Sequence, residues 1–381
     1  MDLKMFFNPV AVEFTPDKYQ VNSVMRNIRI YNEQMPDLDH CHIALIGLPD
    51  SCGQESDATY YNAKAIREKL YNLKKGYGEY HIVDLGNLRS GIDLEDDLKR
   101  VSEVCSFLIH EKTIPLLIGG MQELAYGQYQ AYQDMEKLIS YLNVDAFLDM
   151  SDVNTDNHIE KIILHEPNYL FNYSHLAYQS YLIDSSMIET LEKLYFEAYR
   201  VGVIRTNIAE MEPIIREADM MSFDMCAIRS SDASGVNKSQ PFGLTGEEAC
   251  QICWYAGMNE KMSSVGFYEY NKSLDDEKSQ TSSVLATMIW YFIEGFYHRK
   301  GDSEFDENDY MTYVVAMSGS PETIRFFKSK LSEKWWMEVP YPAGKSKYAR
   351  NSIIPCSYSD YQEATNGNIP DRYINAHAKL I

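Results

Sequence analysis

The chain has 381 residues, 45% of them hydrophobic, and 35 basic against 56 acidic side chains give it a net charge of −21. So much apolar material excludes wholesale disorder, and the acidic surplus argues against a nucleic-acid binder or a protein that docks on anionic lipid. No apolar run approaches the ~20 residues that cross a bilayer, and Met1-Asp2-Leu3-Lys4 does not open a signal peptide, so a cytoplasmic protein is expected.

In chain order, short apolar runs alternate with segments of helical period, the pattern of parallel βαβ units. Strands are expected at His42–Gly47, His81–Leu85, Pro115–Ile118, Tyr141–Asp145, Arg200–Ile204, Met221–Asp224 and Ser264–Tyr270. Helices are expected at Ala63–Leu73, at Leu94–His110 with Val101, Val104, Cys105 and Leu108 on one face, and from about Gln122. Thr245-Gly246-Glu247-Glu248 is a T-x-x-E capping box opening a helix that stops at Gly257. The stripe Val284, Leu285, Met288, Ile289, Phe292 and Phe296 makes Thr281–His298 a core helix.

Beyond Arg299 the composition changes. Gly301–Asp309 is polar and acidic and reads as a linker to a C-terminal extension, residues 301–381. A strand is expected at Met311–Met317, a helix from Ser320-Pro321-Glu322 and an extended run at Trp335–Pro340. The extension reads as a small βαβ unit packed on the main sheet or on a partner. Trp335 and Trp336 offer either an interaction surface or core.

The seven cysteines are scattered and odd in number, which argues against a disulfide framework. Cys250 and Cys253 form the single C-x-x-C and fall on one helix face, where core packing is preferred to zinc or redox chemistry.

Three stretches carry the chemistry: Gly119-Gly120-Met121-Gln122-Glu123, Asp145-Ala146-Phe147-Leu148-Asp149 and Ser222-Phe223-Asp224-Met225-Cys226. Each follows an expected strand, and open parallel sheets bind ligands at the carboxyl ends of their strands. Read without further context, such aspartates are equally at home ending strands and capping the next turn.

In order and setting the stretches resemble those of the arginase/agmatinase/formimidoylglutamase family, the ureohydrolases, where they read G-G-D-H-S, D-A-H-x-D and S-F-D-x-D. Ile46-Gly47-Leu48-Pro49, Ala65-Ile66-Arg67, Asp84-Leu85-Gly86, Gly243-Leu244-Thr245 and Glu269 match further family motifs in the right order, so the resemblance covers roughly residues 40–300. It implies a three-layer α/β/α fold with a mostly parallel sheet, arginase/deacetylase-like, over residues 1–300, and a homo-oligomer.

The resemblance also implies a site. The family holds two Mn²⁺ ions about 3.5 Å apart around a bridging hydroxide. Carried over, the first metal falls to Gln122, Asp145, Asp149 and Asp224, and the second to Asp145, Phe147, Asp224 and Cys226. Gln122 is a neutral oxygen donor, so the first set suits one hard cation: Mn²⁺, Mg²⁺ or Ca²⁺. Phe147 has no lone pair and a Cys226 thiolate is a soft donor, so a full dinuclear manganese centre is not expected. Glu269 corresponds to the glutamate that faces the amidine end of a substrate. Asn168–Gln179 lies where substrate-contacting loops are placed, with His175 as a candidate catalytic histidine. Two functions follow: a non-catalytic or weakly active binding or scaffold protein, with a protein partner met through the C-terminal extension, or a one-metal hydrolase of guanidino or formimino C–N bonds.

Overall fold

The computed structural model describes residues 1–10, 16–51, 60–135, 137–150, 157–302, 307–340 and 353–380. Residues 303–306 of the expected linker therefore lie outside the described residues. The first sheet contains β1 (Phe7–Asn8), β2 (Arg29–Ile30), β3 (Ile43–Gly47), β4 (Ile82–Leu88), β5 (Ile114–Ile118), β6 (Ile139–Val144), β7 (Leu170–Tyr178), β8 (Glu197–Arg200), β9 (Met220–Asp224) and β10 (Ser264–Tyr268). Their order is β1-β4-β3-β5-β10-β9-β6-β7-β8, with β2 also on β4. All pairs are parallel except β1 with β4.

The alternation of the strands separates two apolar layers. Ile43, Leu45, Leu116 and Ile118 face helices Tyr61–Leu70, Gly246–Met258 and Gln280–Tyr297, whereas Ala44, Ile46 and Leu117 face helices Leu94–His110 and Leu124–Gln130. The result is a three-layer α/β/α sandwich. Local signals set the helix starts. Asp93 caps Leu94–His110 by accepting from the Asp96 amide. Thr245 Oγ1 accepts from the Glu248 amide at 3.0 Å while Glu248 Oε2 accepts from the Thr245 amide at 2.7 Å, a closed capping box. Gly257 lets the last two helices touch, since a Cβ there would stand 2.2 Å from the Phe292 carbonyl oxygen.

Two expectations about this sheet are corrected. Asn168–Gln179 is not a substrate loop. It contains the nine-residue strand β7, and residues Asn172–Ala177 are fully buried. Its tyrosines and polar residues hid a strand because its neighbours satisfy them. Arg200–Ile204 is not a strand either: β8 ends at Arg200 and a helix runs Val201–Thr206.

Beyond the sandwich, β11 (Tyr310–Ala316), β12 (Thr323–Ser329), β13 (Trp335–Glu338) and β14 (Ile353–Cys356) form an antiparallel four-stranded sheet in that order, followed by helices Tyr358–Thr365 and Asp371–Leu380. This replaces the expected βαβ unit. The segment after Ser320-Pro321 turns into β12 rather than a helix, because Ile324 and Phe326 bury on one face while Thr323 and Arg325 are exposed, a period of two. Trp335 packs on Tyr361, with ring centroids 5.0 Å apart. The unit is tied to the sandwich by Arg216, whose Nη2 donates to the Trp335 and Cys356 carbonyl oxygens at 3.0 and 3.1 Å.

Candidate functional site

Four neighbouring strands of the first sheet, β5, β10, β9 and β6, end at one edge. They deliver Gln122, Glu269, Asp224 and Asp145, residues far apart in sequence. Gly119 and Gly120 make the turn after β5 with φ of +79° and +78°, and a Cβ on Gly120 would press to 2.9 Å from that of Leu48. That turn brings Gln122 back over the strand ends.

Each strand-end aspartate caps its own turn. Asp145 Oδ1 accepts from the Phe147 amide at 2.9 Å, and Asp224 Oδ1 from the Cys226 amide at 2.7 Å. The two carboxylates also converge: ligand atoms of Asp145, Asp224 and Cys226 lie within 4.8 Å of one another, all buried. The Cys226 thiol donates to Asp145 Oδ1 at 3.1 Å, and Gln122 Nε2 donates to Asp145 Oδ2 at 3.1 Å. Both oxygens of Asp145 thus have protein donors.

The electrostatics follow from burial. Desolvation raises the Asp145 pKa, against the Phe147 amide, Cys226, Gln122 and Lys238, which lower it. Desolvation, then the charges of Asp145 and Glu269, push Asp224 well above the usual carboxylate range. Burial and the same two aspartates push the Cys226 thiol up, which keeps it protonated and a donor.

The remaining candidates are placed differently. Glu269 sits just past β10 in the left-handed region, φ +65°, and its Oε1 accepts from the Gln122 amide at 2.9 Å. Asp149 is not in the convergent group; its Oδ2 stands 3.6 Å from His158 Nδ1. Phe147 lies beside the cluster with the Lys238 ammonium 5.5 Å from its ring centre. His175 is on β7, fully buried, with its Nε2–H on the Asp145 carbonyl oxygen at 3.1 Å and Nδ1 accepting from Tyr173 Oη at 2.8 Å. Burial lowers its pKa to about 4, so it is neutral, and both ring nitrogens are engaged inside the protein.

Beneath the cluster a buried network missed in the sequence joins Tyr141, Ser222 and Asn143. Tyr141 Oη and Ser222 Oγ are 2.6 Å apart, Ser222 Oγ donates to Asn143 Oδ1 at 2.6 Å, and Gln122 Nε2 approaches that oxygen at 3.4 Å. Polar residues inside apolar strands were its only signal. Lys238 was missed too, and nothing in its sequence setting marks it.

The sequence profile of the arginase family matches residues 41–294, about two thirds of the chain. The chain belongs to the arginase family. Among curated proteins, the formimidoylglutamase of Geobacillus sp. (strain WCH70) is 23% identical over 262 residues, which is 65% of this chain and 80% of that protein. Among solved structures, the formimidoylglutamase of Bacillus subtilis superposes with a TM-score of 0.62 at 18% identity, covering 78% of this chain and 98% of that one. The Trypanosoma cruzi formiminoglutamase with Mn²⁺ gives 0.61 at 19%, covering 69% and 96%. The agmatine ureohydrolase of Thermoplasma volcanium gives 0.56 at 19%, covering 75% and 99%. At these identities the superpositions establish the ureohydrolase fold. The second sheet of this arginase-family protein begins at Tyr310, beyond the residues the family profile matches. No helix among the described residues is long and apolar enough to cross a membrane.

Proposed function

We propose that this arginase-family chain is a formimidoylglutamase-like fold that no longer runs two-metal amidine hydrolysis and serves as a binding or scaffold protein. One observation carries the reading. The Asp145 carboxylate, the residue that the resemblance makes common to both metals, is already satisfied by the Gln122 amide, the Cys226 thiol and the Phe147 amide. A second ion would have to be held beside the Phe147 ring and a protonated thiol, neither a match for Mn²⁺.

A single divalent cation (Mn²⁺, Mg²⁺ or Ca²⁺) fits better. Asp145 and Asp224 supply hard oxygen donors that converge, and their raised pKa values are what two desolvated carboxylates show when no cation faces them. When bound, such a cation would act as a Lewis acid on a water or a substrate nitrogen. This supports the second reading, a one-metal hydrolase of formimino or guanidino compounds. There Glu269, fixed by the Gln122 amide, would orient the amidine end of the substrate. His175 has no role at the reacting atoms in either reading, because its nitrogens are spent on Tyr173 and Asp145.

The described cysteines are all free and buried, which fits a reducing, cytoplasmic setting. Self-assembly into a homo-oligomer follows from the family. Elemental analysis after dialysis against Mn²⁺, together with assays for ammonia, urea and formamide from formimino and guanidino compounds, tests the reading. At most one Mn²⁺ per chain without product supports a binding protein, and one with product supports the one-metal hydrolase. Two Mn²⁺ per chain with turnover refutes both.

A further inference from the structure

The largest unexplained feature lies away from the strand-end cluster, where the second sheet meets the sandwich. A cavity of about 220 Å³ is enclosed there, walled by Ile214 and Met258 from the sandwich and by Trp336, Ile354 and Pro355 from the second sheet. A cavity on the order of 150 Å³ already accepts benzene, so this one has room for a ring and a small polar group.

Its polar end is built from cations. Arg216 lines the cavity and is 6% exposed. Its Nε and Nη2 are engaged by Glu212 and by the two carbonyl oxygens of the second sheet, and its face stacks on Trp336, with Cζ 4.2 Å from the ring centre. Its Nη1 is buried and has no hydrogen-bond partner among the described residues. A buried guanidinium nitrogen left unmade costs free energy, so it demands an acceptor. Lys334 also lines the cavity, with its ammonium 3.7 Å from Glu212, the carboxylate Arg216 already uses. Two cations therefore share one carboxylate. Desolvation lowers the Lys334 pKa, which Glu212, Asp302 and Glu260 raise and Arg216 lowers further. An anion in the cavity would supply the missing charge.

We propose that this cavity is a second ligand site, which takes a small organic carboxylate with an apolar ring. The carboxylate would accept from Arg216 Nη1 and Lys334, with the ring on the apolar wall that Trp336, Ile354 and Met258 provide. A singly charged carboxylate fits better than a phosphate dianion. Asp302 and Glu260 also line the cavity and would repel a second negative charge.

The test uses the full chain, with 4-fluorobenzoate as probe and ¹⁹F NMR to follow binding. Saturable binding of 4-fluorobenzoate is expected, with 4-fluorobenzyl alcohol and 4-fluorophenyl phosphate at least about tenfold weaker, the ratio that loss of a charge-assisted hydrogen bond implies. Ile354→Trp fills the cavity without touching the charges and should abolish binding while the fold, checked by circular dichroism, is kept. Arg216→Lys keeps a cation but removes the fork and should weaken binding about tenfold. Should Arg216→Lys fail to fold, Ile354→Trp carries the test alone. No binding at millimolar probe, equal binding of the alcohol, or binding unchanged in Ile354→Trp would overturn the site. Tighter binding of the phosphate would overturn the carboxylate assignment.

Discussion

Cys226→Asp tests whether the strand ends converge as described. The Cys226 sulfur stands 3.1 Å from Asp145 Oδ1, with Asp224 in the same group. A carboxylate oxygen at that distance meets a repulsion of about 5 kcal/mol at an effective dielectric of ~20. Protonation is the alternative: holding an ordinary carboxyl neutral at pH 7 costs about 4 kcal/mol. The chain takes the cheaper route, so the variant should lose about 4 kcal/mol at pH 7 in the presence of EDTA. The sign with pH is fixed. The folded pKa of the introduced carboxyl is raised, so the native state binds more protons than the unfolded state and stability falls as pH rises. The penalty is absent below about pH 4 and is only ~1.5 kcal/mol at pH 5. Mn²⁺ should cancel it, because three carboxylates around a cation are attracted rather than repelled. Urea unfolding at pH 5 and pH 7, with EDTA or Mn²⁺, reads each arm. Adding Phe147→His should then raise Mn²⁺ toward two per chain. A Cys226→Asp protein as stable as the parent in EDTA at pH 7, or one that Mn²⁺ leaves unchanged, would refute the convergence of these side chains.

Two further outcomes follow from buried charges elsewhere in the sandwich. Burial pushes the Asp50 pKa from 3.8 to about 7, so this carboxyl destabilises the fold increasingly as pH rises from about 4 to 7. Asp50→Asn should therefore gain up to about 4 kcal/mol at pH 8 and nothing at pH 4, and an equal effect at both would show that Asp50 is not desolvated. Arg67 holds Asp84 through Nε and Nη2 at 2.8 and 2.9 Å, both residues buried. Arg67→Met should cost about 3–5 kcal/mol in urea unfolding, and Arg67→Met with Asp84→Asn should recover part of it, because the stranded charge is the larger penalty.

The sequence by itself determined the sandwich. Its apolar runs are short and continuous where strands are buried on both faces, and its helices carry apolar stripes and caps of their own, such as Thr245 with Glu248. Such signals are local and survive without knowing what packs where. Local signals also misled: Ser320-Pro321-Glu322 has the chemistry of a helix start, yet the alternation of Ile324 and Phe326 across a sheet face won. The buried polar strand β7 read as a loop, because only its neighbours could satisfy Asn172, Ser174 and His175. For the site, the sequence named Gln122, Asp145, Asp224, Cys226 and Glu269 through a family pattern. Only the tertiary structure decided that Cys226 and Gln122 bond to Asp145, that Asp149 turns to His158, and that His175 faces inward. It also decided that Arg216, an unremarked helix residue, would reach the second sheet and leave one nitrogen in a cavity. The physical reason is the same throughout. Helix and strand formation depend on neighbours within a few residues, whereas hydrogen-bond partners, desolvation and cavities depend on residues brought together across the chain.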